Sequence, residues 1–60
     1  MNEKHTKAIE KLESRYKADL EALEVINQAK EDIEYYEEQG QIEKATAHIR
    51  NLEAYLHDWH

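Results

Sequence analysis

From Ile9 onward, apolar residues recur in steps of three and four: Ile9, Leu12, Tyr16, Leu23, Ile26 and Ile33, with Leu20, Ala22, Ala29 and Tyr36 widening the stripe. This spacing predicts an amphipathic helix with a heptad-like seam. Asp19 and Lys30 fall on the seam where apolar residues belong. They read as polar intrusions that either select a register or mark a seam unlike a simple dimer zipper. A second stripe follows Gly40: Ile42, Ala45, Ile49, Leu52, Leu56 and Trp59, extended by Tyr55. The opposite face carries Glu43, Lys44, Arg50, Asn51 and Asp58, so this second helix is built to be covered on one side.

The two stripes are out of phase. Continued past Ile33, the first seam calls for apolar residues at 37 and 40, where Glu37 and Gly40 stand. Gly40 is the only glycine, and a glycine just past a helix end can take the left-handed conformation that stops the helix. The expectation is an all-α antiparallel hairpin. A long first helix covers about residues 3–39, the chain turns at Gly40, and a short second helix covers about residues 41–58. Locally, Tyr36, Gly40 and Ala45 resemble the tyrosine, turn glycine and small residue of a tetratricopeptide-repeat helix–turn–helix. The resemblance supports the turn. It stops there, because Gln41 stands where Asp or Asn is usual and the Trp, Leu and Gly of the repeat's first helix are missing.

At about 1.5 Å per residue the two helices would measure roughly 55 Å and 27 Å. Folded back at Gly40, the short helix reaches only to about Leu20. The hairpin core is then expected to hold Ile26, Ile33, Tyr36, Ile42, Ala45, Ile49, Leu52, Leu56 and Trp59. Ile9, Leu12 and Tyr16 would lack cover from their own chain, and each large apolar side chain left in water forfeits about 1.5–3 kcal/mol. Self-association is the simplest remedy, so the sequence predicts a homodimer assembled as a four-helix bundle. Its contact surface, for a second copy or another protein, would comprise Ile9, Leu12, Tyr16, Leu20, Leu23 and Tyr35.

Composition agrees with helices: of 60 residues none is proline or phenylalanine, one is glycine, and Glu, Lys, Ala, Leu and Ile dominate. The 37% of charged residues admits disorder, against which the regular apolar spacing and five aromatic residues stand. The net charge of −6 is uneven, with +2 on residues 1–17, −7 on residues 18–40 and −1 on the rest. Charge-guided pairing would set the basic arm of one chain (Lys4, Lys7, Lys11, Arg15) beside the acidic middle of another (Glu21, Glu24, Glu31, Glu34). With no cysteine there is neither a disulfide nor a thiolate metal site. The longest apolar runs are two or three residues, too short for a membrane span or a signal peptide. A soluble, cytoplasmic protein with no membrane partner is expected.

Candidate chemistry is sparse. Glu53, His57 and His60 share one helix face at metal-ligand spacing, yet histidines near a helix C-terminus also serve its last carbonyls. His48 faces elsewhere and His5 is remote, so no metal and no cofactor are expected. Ser14 is the only serine and sits among charges, and no glycine-rich loop cradles a phosphate, so no enzyme is expected. Lys4, Lys7, Lys11 and Arg15 could meet phosphates, but a chain of −6 repels nucleic acid at range. The row Glu24, Glu31, Glu34 and Glu38 could instead imitate phosphates. The reading is a small non-enzymatic regulatory or adaptor protein working through helix-mediated contacts; an acidic nucleic-acid mimic or a nucleic-acid-binding dimer is the alternative.

Overall fold

Asn2 and Asp19 begin two helices where the apolar spacing predicts one. In the computed structural model, which describes residues 1–59, α1 spans Glu3–Arg15, α2 spans Leu20–Glu38 and α3 spans Ile42–His57. The expected first helix over about 3–39 is therefore broken in two. Arg15 ends α1, and the Tyr16 N–H closes its last turn on the Leu12 carbonyl. Asp19 then accepts from the Ala22 N–H at 3.1 Å and caps α2, as Asn2 caps α1 by accepting from the His5 N–H at 2.8 Å. A short carboxylate satisfies one of the orphan amides of a helix start, so it competes with continuation of the preceding helix. Asp19 is a helix start, where the sequence suggested a polar intrusion on a continuous seam.

The turn between α2 and α3 lies at Gly40, whose φ is +73°. The Gly40 N–H bonds to the Glu37 carbonyl at 3.0 Å and the Gln41 N–H to the Tyr36 carbonyl at 2.8 Å. Those two bonds make a Schellman motif, which needs a left-handed residue at this place. A Cβ added at Gly40 would meet nothing within 4 Å, so only the backbone resists a side chain there. Gly40→Ala is accordingly expected to destabilise the fold by about 1–2 kcal/mol, read from the midpoint of urea unfolding with an unchanged slope.

The helices run up, down and up, so α1 lies parallel to α3 and antiparallel to α2. The core takes Ile9 and Leu12 from α1, Ala22, Ile26, Ala29 and Ile33 from α2, and Ala45, Ile49, Leu52 and Leu56 from α3. Ile9 and Leu12 retain 2% and 5% of their exposure, so the premise that they need a second chain falls. Breaking the long helix lets α1 fold back on the hairpin and fill the third side. Ile42, expected in the core, is exposed at the first position of α3, while Tyr36 and Trp59 are half-buried around the core. Lys30, the second intrusion on the seam, reaches across to Glu13 of α1 at 3.3 Å. No helix among the described residues is long and apolar enough to cross a membrane.

Candidate functional site

Two places collect chemistry, and the first holds α1 in position. Among the described residues His5 is the one buried polar side chain, at 2% exposure. Its Nδ1 bonds to Glu37 Oε2, and its Nε2 lies 2.8 Å from the Thr46 hydroxyl. An ionised carboxylate only accepts, which assigns a proton to Nδ1. Glu37 also accepts from the Asn2 N–H at 3.0 Å and lies 3.4 Å from the Met1 amine. Burial alone would push the Glu37 carboxyl up. The hydrogen bonds from His5, the Asn2 N–H and the amine, together with the amine's charge, outweigh burial and hold it below the ordinary glutamate value of 4.5.

Carboxylate, imidazole and hydroxyl stand here in the order of a nucleophilic triad. The surroundings argue for structure instead. The Thr46 hydroxyl also lies 3.2 Å from the Ile42 carbonyl one turn back, and the imidazole is enclosed. The three side chains tie α1 to the end of α2 and the start of α3. At the other end of α1, the Tyr16 hydroxyl donates to the Leu56 carbonyl at 3.0 Å. Among the described residues every buried side-chain nitrogen or oxygen has a partner.

The second place is an open groove of about 800 Å³ between α2 and α3, on the side away from α1. Val25, Ala29 and Leu52 supply its apolar floor, and Glu21, Glu24 and Asp32 stand along its α2 rim. Tyr55 and Trp59 close the end near the start of α2, with ring centroids 5.4 Å apart. Trp59 is anchored there by Asp19, whose Oδ2 accepts from the indole Nε1–H at 2.8 Å. The carboxylate that caps α2 thus also positions an aromatic wall of the groove. At the far end His48 lies 3.4 Å from Asp32 and 6.0 Å from the Tyr36 ring.

The residues expected at a contact surface fall in different places. Ile9 and Leu12 belong to the core, Tyr16 and Leu23 are half-buried against it, and Leu20 and Tyr35 are exposed at 80% and 59%. None of these six lines the groove. The basic stripe Lys4, Lys7, Lys11 and Arg15 is exposed on the outside of α1. Glu53 and His57 are exposed, His60 lies outside the described residues, and no group of three metal-ligating side chains occurs among those described. Sequence reasoning missed the groove because it places Trp59 in the hairpin core and reads Tyr55 as an extension of the same covered face. The signal was there: an apolar stripe wider than one neighbouring helix can cover. Compared with known protein families, with curated proteins and with solved structures, the chain found no match.

Proposed function

We propose that this chain is a small binding protein without chemistry of its own, which docks another protein in the groove between α2 and α3. The groove carries this reading. It joins an apolar floor to a pair of aromatic side chains, Tyr55 exposed and Trp59 half-buried, on a scaffold whose core is otherwise closed. Aromatic side chains bring large contact area at little cost in rotamer freedom, and they dominate the energetics of protein interfaces. A regulatory or adaptor role follows from binding alone.

The contact surface therefore moves from the N-terminal arm to the opposite side of the molecule. A dimeric four-helix bundle was motivated by an uncovered Ile9–Leu12 stripe, and α2 and α3 supply that cover. A second copy remains one occupant for the groove to be tested against. The acidic-mimic reading retains one support: Glu24, Glu31, Glu34 and Glu38 are exposed, and no Lys or Arg pairs with them among the described residues.

A random peptide library selected on the folded chain tests the groove. Binders should lose their signal on Val25→Glu, which places a charge on the apolar floor, and keep it on Lys11→Glu. Binders indifferent to Val25→Glu but lost on Lys11→Glu would return the contact surface to α1 and overturn the reading.

A further inference from the structure

We infer that the groove selects a basic amphipathic helix, about three turns long, whose lysine or arginine side chains seat between the carboxylates of α2 and the aromatic rings of α3. This rests on the groove being the docking surface and adds the chemistry of what docks. The rim carries Glu21, Glu24 and Asp32, and among the described residues neither lysine nor arginine lines the groove. Its histidine, His48, already faces Asp32 at 3.4 Å. Asp32 thus has a polar partner, and among the described residues no side chain pairs with Glu21 or Glu24, so the unpartnered carboxylates lie toward the other end.

That end is also where the aromatic side chains stand. Asp32 against His48 and Asp19 against Trp59 fix the antiparallel register of the two helices. In this register Glu24 is level with Tyr55, and Glu21 is level with Trp59. Each carboxylate thus has a ring across the groove from it. A guanidinium or ammonium group is attracted both by a carboxylate and by the face of an aromatic ring, most strongly by tryptophan. The two levels are about one helical turn apart, the spacing of side chains at i and i+3 or i+4 on a partner helix. Residues 21 to 32 span roughly 16 Å of α2, which accommodates about three turns of such a helix. Its apolar side chains would rest on Val25, Ala29 and Leu52.

Neutral or acidic segments fit this arrangement poorly. An acidic helix would meet three like charges, and a neutral one would leave Glu21 and Glu24 desolvated without a partner. Charge complementarity also offers an occupant within the same sequence, the α1 stripe of a second copy. That stripe is interrupted by Glu3 and Glu10, and the exposed Lys7 is already paired with Glu3 at 3.3 Å. A separate basic helix is the better complement.

Trp59 is the only tryptophan and lies in the groove, so its fluorescence reports occupancy directly. The probes are an amphipathic leucine–lysine peptide and its leucine–glutamate and leucine–glutamine counterparts. The lysine peptide should shift Trp59 emission saturably, and Glu21→Gln with Glu24→Gln should weaken its binding about tenfold. Glu34→Gln with Glu38→Gln removes the same net charge outside the groove and should change binding by less than about twofold. Helicity measured by circular dichroism confirms that each variant is folded. Equal weakening by both pairs would reduce the effect to net charge and overturn the inference. So would equally tight binding of the glutamine peptide, although the docking reading would then stand. Absence of any saturable response to the lysine peptide also overturns it, while the library selection decides the groove separately. Self-association abolished by Lys11→Glu would make a second copy the occupant and overturn a separate partner.

Discussion

Ile9→Ala is expected to lower the unfolding free energy by about 2–5 kcal/mol, and by the same amount at every protein concentration. Ile9 is 2% exposed, and its cover comes from α2 and α3 of its own chain. Truncating it leaves a cavity at the level of Ile33 and Ile49, by the register that His5–Glu37, Glu13–Lys30 and Tyr16–Leu56 set, which a small bundle cannot collapse without moving a helix. At about 0.05–0.15 kcal/mol per residue, a chain of 60 residues has roughly 3–9 kcal/mol to lose. The variant therefore gives up a large share of the total, and its thermal midpoint is expected to fall well below that of the parent chain. Urea unfolding at two concentrations a hundredfold apart checks the claim. An assembly in which Ile9 faced another chain would shift its midpoint with concentration, because association is linked to folding by mass action. Superimposable curves place Ile9 in the chain's own core; a concentration-dependent midpoint restores the interface.

Glu37→Gln comes second, with an expected loss of about 1–3 kcal/mol at neutral pH. The amide keeps one acceptor oxygen and turns the other into a donor, so either His5 Nδ1 on one side or the Asn2 N–H and Met1 amine on the other lose their acceptor, and the negative charge facing them is gone. The pH dependence has a definite sign. Because the folded-state carboxyl is held below 4.5, the folded state favours its ionised form, and that stabilisation is complete above the ordinary value. It is lost as pH falls through the depressed folded value. The contribution of the Glu37 charge to the gap in stability between the parent chain and Glu37→Gln should thus be present above about pH 4.5 and be lost as pH falls below it. Taking the difference removes the contribution of the other acidic residues, which titrate in both proteins. A gap unchanged down to the acid limit would show that Glu37 acts through shape and not through its charge.

What could be read from the pattern, and what could not, follows from how local each signal is. The all-helical class and the turn at Gly40 are both local: one glycine coincides with a phase shift between two stripes. The break at residues 16–19 carries no glycine or proline. Its signal was Asp19 followed by the apolar run that starts at Leu20, a helix-start pattern masked by its coincidence with a heptad position. Once that break is missed, α1 cannot fold back, and Ile9 and Leu12 look stranded. The His5–Glu37 contact links residues 32 positions apart and exists only because α1 reverses, so no spacing rule reaches it. The groove is harder still. Tyr55 and Trp59 lie on the apolar face of α3, and periodicity records that a face is apolar, not whether one neighbour is wide enough to cover it.

Three is an odd number of passes, and that decides where a tether leaves the molecule. Met1 lies beside Glu37, near the pole that carries the Gly40 turn, whereas Trp59 lies beside Asp19 at the opposite pole of a body 33 Å long. Anything joined ahead of Met1 emerges at the turn pole and takes the amine from Glu37. Trp59 itself stands where the aromatic end of the groove opens. Met1 and Trp59 are therefore held at opposite poles by the length of a stiff spacer, and bringing these two points together would require unfolding a helix.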